Sequence, residues 1–212
     1  MSEGRTCVIM AAMGLTDEEA MEIAGLERPY IICADAGYAH AARCKIVPDL
    51  VLGDFDSYCG TVATLAGAVE TFPVEKDDTD TMLAVKEGLA KGCRDFRIYG
   101  ALGGRLDHTM ANIVALRYLL DHGASGWLIS RENCVTMIEN DTIVVKKDAR
   151  FPNVSIFCYG PPAKGVTIRG CQYPLTDYTL DEHFPLGVSN HVLEDEGAFT
   201  VKDGTLLVIL SA

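Results

Sequence analysis

Up to about residue 131 the chain alternates short apolar runs with amphipathic stretches, and this alternation limits the possible folds more than any other feature. The apolar runs predict strands at Cys7–Ala11, Tyr30–Ala34, Leu50–Gly53, Val69–Phe72, Phe96–Tyr99 and Trp127–Ser130. The stretches between them predict helices at Thr16–Ala24, Tyr38–Cys44, Thr61–Ala66, Thr79–Ala90 and Asp107–Leu120. Short strands that are apolar on both faces are typical of a parallel sheet covered by helices. We therefore predict an N-terminal α/β domain over residues 1–131, with a doubly wound, mainly parallel sheet.

The helical pattern ends after about residue 132, and short strand-like runs separated by Gly, Pro and Asn follow it. These runs are Val135–Ile138, Thr142–Lys146, Val154–Cys158, Gly165–Ile168, His191–Leu193, Ala198–Val201 and Leu206–Leu210. Many short strands with regular turn signals favour a small antiparallel sandwich or barrel. We therefore predict a second, all-β domain over residues 132–212.

Composition excludes several classes of protein. The chain has 212 residues, a net charge of −12 and an isoelectric point near 4.7, which argues against nucleic-acid binding because that requires a basic face. No apolar run approaches the length that spans a bilayer, so we expect no membrane association. The eight cysteines form no Cys-x-x-Cys pair, and we expect free thiols in a cytoplasmic protein rather than disulfides or a zinc site.

Acidic residues follow consecutive predicted strands at the point where each strand ends. Asp35 follows the second strand, Asp54 and Asp56 the third, and Asp77-Asp78-Thr79-Asp80 the fourth. The carboxyl ends of parallel strands meet at one edge of a sheet, where such sheets bind ligands. Carboxylates in this number repel one another unless a hard cation lies among them, and Mg²⁺ is the usual cation beside substrate phosphates.

A glycine-rich turn follows the fifth predicted strand. It reads Gly100-Ala-Leu-Gly-Gly-Arg-Leu-Asp-His108 and includes Gly103, Gly104, Arg105 and Asp107. Glycines at a helix start offer main-chain N–H groups to phosphate, and an arginine clamps phosphate oxygens in two places. The turn lacks the Gly-Lys-Ser/Thr of a P-loop and the spacing of a dinucleotide fingerprint.

Each of these motifs also has an ordinary structural interpretation. Asp56 or Ser57 suits an Asx-type turn, Asp78 suits a helix N-cap, and Asp35-Ala-Gly37 suits a plain strand-to-helix turn. A single histidine at a helix start, such as His108, is more often structural. Independent surface features would not be expected to place acidic residues after each of four consecutive strands. We therefore predict that these four loops form one shared metal and phosphate site.

At these residues the chain resembles the thiamine pyrophosphokinase family. The resemblance covers Asp35-Ala-Gly, Pro48-Asp-Leu-Val-Leu-Gly-Asp-Phe-Asp-Ser57, Lys76-Asp-Asp-Thr-Asp80 and the glycine-rich turn. In the second half, Gly170-Cys-Gln-Tyr-Pro-Leu175 and Gly187-Val-Ser-Asn190 also look like that family. The combination is specific, although no single motif is.

The resemblance implies transfer of a pyrophosphoryl group from ATP to thiamine, with Mg²⁺, in a homodimer whose active site is shared between subunits. It implies metal ligation by Asp35, Asp54, Asp56 and Asp80, and catalytic roles for Asp80, Arg105 and Asp107. It implies ATP contacts from Asp35, Gly37, Asp56, Ser57, Asp77, Gly103, Gly104, Arg105 and His108. It implies thiamine contacts from Asp107, Ser189 and Asn190.

The chain departs from the family pattern at the thiamine pocket. Members of the family carry an aromatic residue, often tryptophan, against the aminopyrimidine, whereas the single tryptophan here, Trp127, lies in the first domain. Tyr173, Tyr178, Phe184 and Phe199 are the candidates to replace it. Lys76 and His108 stand where other members carry glutamine. Two alternatives to the family activity are another Mg²⁺-dependent phosphotransferase or phosphohydrolase with a different acceptor, and a non-catalytic nucleotide or vitamin sensor.

Overall fold

The computed structural model describes residues 5–53, 68–71 and 78–212. The chain divides into two compact units, residues 1–131 and residues 132–212. In the described part of the first unit the strands are β1 (Thr6–Met10), β2 (Tyr30–Ala34), β3 (Leu50–Gly53), β4 (Ala68–Thr71), β5 (Asp95–Tyr99) and β6 (Ser125–Ile129). The helices are α1 (Asp17–Ala24), α2 (Gly37–Arg43), α3 (Asp80–Ala90) and α4 (Leu106–Asp121). The helix predicted at Thr61–Ala66 lies outside the described residues.

The six strands of the first unit form a parallel array in the order β4-β3-β2-β1-β5-β6. Helices cover both faces of it. On one face Ile23 of α1 and Ala41 of α2 pack with the β1 residues Val8 and Met10. On the other face Gly88 of α3 lies so close to Phe96 that an ideal Cβ would come 2.6 Å from its ring. The predicted doubly wound α/β class is confirmed.

The second unit contains seven strands. They are β7 (Asn133–Glu139), β8 (Thr142–Lys146), β9 (Asn153–Cys158), β10 (Ala163–Arg169), β11 (Leu175–Leu180), β12 (Glu196–Thr200) and β13 (Thr205–Ser211). Antiparallel pairing joins β7, β13 and β9, and joins β11, β10, β12 and β8. The core includes side chains from both groups, such as Ile156 and Val208 of the first and Val166 and Phe199 of the second. The predicted antiparallel sandwich is confirmed.

Two details of the strand prediction for this unit were wrong. Strand β11 was not predicted, because it is an outer strand of its group whose residues are mostly exposed and lack an alternating apolar pattern. The predicted strand His191–Leu193 is not a continuous strand. Its neighbourhood makes only isolated bridges, Asn190 with Val154 and Val192 with Cys171, because it bonds to two different segments in turn.

The described residues contain no helix long and apolar enough to cross a membrane. The seven cysteines that the structure describes are all free thiols. Four of them (Cys7, Cys33, Cys93 and Cys171) are buried, which is the usual environment of a cysteine that serves as a small apolar core residue.

Candidate active site

The direction in which the parallel strands are added reverses at β1, which lies between β2 and β5. The carboxyl ends of β1 and β5 therefore form the switch point at which open parallel sheets bind ligands. Main-chain hydrogen bonds join the loops that leave these two strands. Ala11 N donates to Tyr99 O at 2.8 Å, and Met13 N donates to Gly100 O at 3.0 Å. The loop after β1, which the sequence analysis did not single out, thus belongs to the site.

A cavity of about 130 Å³, called here the strand-end cavity, opens at this edge of the sheet. It is lined by Ala11, Ala12, Ala34, Asp35, Thr79, Asp80, Thr81 and His108. The fold thus brings together three predicted site residues from three separate segments: Asp35 from the turn after β2, Asp80 from the start of α3 and His108 from the start of α4. Pockets that enclose a whole drug-sized ligand measure roughly 300–1,000 Å³, so this cavity suits an ion or a phosphate group rather than an entire nucleotide.

Asp35 reaches the strand-end cavity from an unusual main-chain conformation. Its φ is 49°, in the left-handed region that residues other than glycine rarely adopt. Its N–H donates to Leu52 O at 2.7 Å, and an ideal Cβ on Gly53 would lie 3.2 Å from Asp35 Cα. Such strain persists where the surrounding structure imposes it, and it is concentrated at functional sites. The glycine at position 53 lets the end of β3 lie close beside Asp35.

Asp80 is the first residue of α3, and its carboxylate lies where the helix dipole favours negative charge. The N-cap of this helix is Thr79, whose hydroxyl accepts from Met82 N at 3.2 Å. The expectation that Asp78 caps the helix was wrong. The Asp78 carboxylate instead accepts a hydrogen bond from Lys86 Nζ at 2.6 Å. Of the two aspartates Asp78 and Asp80, only Asp80 lines the cavity.

The glycine-rich turn after β5 requires its glycines. Gly100, Gly103 and Gly104 have φ values of 68°, 93° and 64°, which strain any side-chain-bearing residue. Met13 packs against the turn, with its Sδ 3.0 Å from an ideal Cβ on Gly104. Met13, in the loop after β1, therefore contacts and supports the turn. The turn leads directly into the N-terminus of α4.

Arg105 and Asp107 bind each other at the start of α4. Arg105 Nε donates to Asp107 Oδ1 at 3.1 Å, and Arg105 Nη2 donates to Oδ2 at 2.5 Å. His108 N also donates to Asp107 Oδ1, at 3.0 Å. The hydrogen-bonded guanidinium is the main cause that holds the pKa of Asp107 below its ordinary value. Both side chains are largely exposed, 73% and 64%, so the pair is accessible to a ligand.

Gly37 occupies a packed position rather than an open one. It is buried at the start of α2, and an ideal Cβ would lie 1.9 Å from Met10 O and 3.1 Å from Ala11 O. Glycine is therefore required for α2 to approach the end of β1. The structure gives Gly37 a packing role, and its contact with ATP stays a prediction.

In the second unit, Ser189 and Asn190 have different environments. Asn190 is only 4% exposed, and its amide accepts from Tyr173 N at 3.0 Å and donates to Tyr173 O at 2.8 Å. Ser189 is exposed, has a left-handed φ of 57°, and donates its N–H to Ser155 Oγ at 3.1 Å. Asn190 thus holds the main chain of Tyr173, whose side chain is 58% exposed. Direct thiamine contacts by Ser189 and Asn190 stay predictions.

Four predicted site residues, Asp54, Asp56, Ser57 and Asp77, lie outside the described residues, so the full metal-binding set stays a prediction. Within residues 5–53, 68–71 and 78–212, no three His, Cys, Asp or Glu side chains gather closely enough to hold a metal ion. Asp35 and Asp80 nevertheless line one cavity, and carboxylate oxygens are the ligands that Mg²⁺ prefers. The described part of the site therefore fits a magnesium ion.

A parallel α/β unit with carboxylates and a glycine turn at its strand ends belongs to the class of α/β proteins that bind ligands at the carboxyl edge of the sheet, and here an antiparallel β unit follows it. The family model "Thiamin pyrophosphokinase, catalytic domain" matches residues 26–128. The family model "Thiamin pyrophosphokinase, vitamin B1 binding domain" matches residues 140–206. The chain belongs to the thiamin pyrophosphokinase family, as its motifs predicted.

Individual relatives agree with the family match. Thiamine pyrophosphokinase of Bacillus subtilis (strain 168) is 29% identical over 202 residues, which cover 93% of this chain and 90% of that protein. Thiamine pyrophosphokinase 1 of Oryza sativa subsp. japonica is 25% identical over 186 residues, covering 80% and 68%.

Solved structures of the family have the same fold. The crystal structure of the Bacillus subtilis thiamine pyrophosphokinase superposes with a TM-score of 0.88 at 26% identity, covering 98% of this chain and 99% of that one. Thiamin pyrophosphokinase from Candida albicans has a TM-score of 0.82 at 14% identity, covering 99% and 90%, and shows the shared fold alone.

Proposed function

We propose that this protein transfers the pyrophosphoryl group of ATP to thiamine, giving thiamine diphosphate and AMP. The observation that carries the proposal is the match of both family domains, in order, to the two units of one chain. The strand-end cavity supports it, because it joins Asp35, Asp80 and His108 at the sheet edge where phosphorylated ligands bind. The family match favours thiamine as the acceptor and gives no support to another phosphotransferase activity.

The α/β unit provides the phosphate-binding groups in this proposal. Asp35 and Asp80, with Asp54 and Asp56, would hold Mg²⁺, which neutralises charge on the transferring phosphates when it is bound. The N–H groups of the glycine turn and the Arg105 guanidinium bind phosphate oxygens. Attack by an alcohol on phosphorus depends more on in-line positioning and charge neutralisation than on covalent chemistry.

Asp107 orients the thiamine hydroxyl. The Arg105 guanidinium holds the pKa of Asp107 below its ordinary value, so the carboxylate stays ionised and can accept a hydrogen bond from the hydroxyl. When ATP phosphates draw Arg105 away, Asp107 loses the guanidinium that lowers its pKa and becomes a stronger base. In this proposal, the exposed Arg105–Asp107 pair couples the binding of ATP phosphates to the basicity of Asp107 toward the thiamine hydroxyl.

We propose that the Tyr173 side chain packs against the aminopyrimidine ring of thiamine. Of the four aromatic candidates, Phe199 is 0% exposed and belongs to the core. Tyr173 is exposed, and its main chain is held by the Asn190 side chain, which accepts from Tyr173 N and donates to Tyr173 O. An exposed aromatic ring beside hydrogen-bonding groups suits a flat, polar heterocycle.

Two further parts of the proposal rest on the family resemblance. We propose a homodimer in which thiamine binds between the α/β unit of one subunit and the β unit of its partner. A cytoplasmic location stays a prediction from the sequence.

The proposed reaction is tested with purified protein, ATP, Mg²⁺ and thiamine. We expect AMP and thiamine diphosphate to form in equal amounts, and AMP formation to require thiamine. AMP release that ignores thiamine, or transfer to another alcohol in its place, would assign the site to a different phosphotransferase.

The role of Arg105 is tested by Arg105→Lys, which keeps the charge but loses the planar two-pronged contact. We expect kcat/KM for ATP to fall by about tenfold, with thermal stability almost unchanged because the exposed ion pair contributes little. Arg117→Lys is the matched control, since Arg117 lies in α4, the helix that begins directly after Arg105, and likewise pairs with an aspartate, Asp121. Unaltered ATP kinetics in Arg105→Lys would make Arg105 a surface residue without a role in the reaction.

A further inference from the structure

The antiparallel unit contains a second cavity, of about 320 Å³, next to strand β9. One wall is the segment 181–187, called here the strap. The lining includes Cys158, Leu180, Asp181, Glu182, Phe184 and Leu186. Ser189, Asn190 and Tyr173 do not line it, so this strap cavity is separate from the thiamine contacts proposed above.

The strap is attached to the outer edge of β9. Ile156 N donates to Gly187 O at 2.9 Å, and an ideal Cβ on Gly187 would lie 2.4 Å from Ile156 O. At the other end of the strap, His183 N donates to Asp181 Oδ1 at 3.0 Å. The cavity is therefore formed by hydrogen-bonded main chain and by a glycine that permits close approach. Its volume lies within the range of small-molecule pockets, roughly 300–1,000 Å³.

The lining combines apolar surface with negative charge. Phe184 and Leu186 are 66% and 40% exposed, so their side chains present apolar area that the described residues leave uncovered. Asp181 and Glu182 are the charged residues of the lining, and no lysine or arginine lines the cavity in the described chain. The pKa of the Cys158 thiol is raised, first by burial and then by the charges of Asp181 and Glu182. The negative field therefore extends into the cavity.

These features select one chemical class of ligand. An anion is repelled by both carboxylates, and a neutral apolar molecule gains nothing from them. A small cation with a flat ring places its charge beside Asp181 and Glu182 and its ring against Phe184, where a cation–π contact adds to the attraction. Charge complementarity thus favours a heteroaromatic cation over an apolar segment of a second subunit.

We propose that the strap cavity is a second binding site for thiamine or a closely related heteroaromatic cation, distinct from the catalytic site. The proposal rests on the proposed function, because thiamine is the cationic substrate of that reaction.

Cys158 provides a local readout, since it lines the cavity and is half-buried. Full-length protein is treated with N-ethylmaleimide at increasing thiamine concentrations, and labelling of each cysteine is followed by peptide mass spectrometry. We expect thiamine to slow labelling of Cys158 saturably and to leave Cys44 and Cys134 unchanged. The neutral fragment 4-methyl-5-(2-hydroxyethyl)thiazole should give no protection, because it lacks the charge.

The double variant Asp181→Asn, Glu182→Gln removes both charges and keeps the shape of the side chains. We expect it to weaken the protection by about tenfold, because the bound cation loses both of the opposite charges that line the cavity. Glu194→Gln, Asp195→Asn is the matched control, because this neighbouring pair of exposed acids does not line the cavity. Equilibrium dialysis at the thiamine concentration that gives half-maximal protection in the control should detect less bound thiamine per chain in the test variant than in the control.

Three outcomes would overturn the proposal: equal thiamine binding by the two double variants in dialysis, equal protection by the neutral fragment, or protection that depends on protein concentration but not on thiamine. The last result would assign the cavity to a second copy of the chain. AMP formation is measured in the same samples. Normal AMP formation without a second thiamine site rejects this inference alone, whereas the absence of thiamine-dependent AMP formation rejects the proposed function.

Discussion

Replacing Asp80 by asparagine is expected to lower kcat for thiamine-dependent AMP formation by about 100-fold or more. The carboxylate lines the strand-end cavity with Asp35, and charge stabilisation by a metal held there is worth several kcal/mol in the transition state. Thermal stability should change little, because Asp80 lies in the first turn of α3 and not in the core. Initial rates at saturating Mg²⁺ and a thermal melt measure both quantities.

Glu87→Gln is the matched control for Asp80→Asn. It makes the same acid-to-amide change in the same helix, and Glu87 does not line the cavity. Near-normal turnover of Asp80→Asn at saturating Mg²⁺ would contradict the assignment of Asp80 as a metal ligand.

The Asp80→Asn chain also tests the proposed shared active site. Mixing it with a Ser189→Ala, Tyr173→Ala chain should restore activity, since a heterodimer then contains one site with both halves intact. Asn190 is left unchanged because its buried amide supports the turn. If subunits exchange and activity does not return, thiamine binds within a single subunit.

Replacing Gly37 by alanine is expected to destabilise the protein by about 3 kcal/mol or more, enough to abolish folding of a marginally stable domain. The new methyl group would lie 1.9 Å from the Met10 carbonyl oxygen and 2.7 Å from the carbonyl carbon, both in the main chain of β1. Because main chain cannot move aside as a flexible side chain does, α2 must shift from the sheet. Urea unfolding measures the loss.

Gly25→Ala is the control for this change. Gly25 also lies at a helix end, but an ideal Cβ there meets only ordinary contacts, at 3.5 and 3.6 Å, and its φ is −80°. We expect it to be neutral or slightly stabilising, by up to about 1 kcal/mol. A Gly37→Ala protein with normal stability and a raised KM for ATP would show instead that Gly37 serves the nucleotide and not the packing.

Three of the candidate site residues could be named from the sequence because they sit in local motifs. Asp35, Asp80 and His108 were named from three loops, and the fold brings all three to one cavity. Met13 and the loop after β1 were missed. That loop carries no acidic residue, and its importance follows from the position of β1 next to β5, which depends on strand order and has no local signature in the sequence.

The hydrogen-bond partners and the burial of individual side chains could not be predicted from the sequence either. Ser189 and Asn190 are adjacent and were assigned the same role, yet one is exposed and the other is buried against the main chain of Tyr173. Asp77, Asp78 and Asp80 form one acidic run, yet Asp78 bonds to Lys86 while Asp80 lines the cavity. Which acid lines the cavity and which binds a lysine depends on distances across the fold.

The amino-acid sequence by itself determined the kinds of element in each unit and the edge of the sheet at which candidate site residues lie. Apolar periodicity and glycine or acidic loop residues act within a few positions of one another, so a linear pattern records them. Tertiary structure decided the order of the strands, the pairing of Arg105 with Asp107, the close approach that requires Gly37, and the cavity beneath the strap. These features arise from contacts between residues far apart in the chain, where packing and charge select one arrangement among many that the local pattern allows.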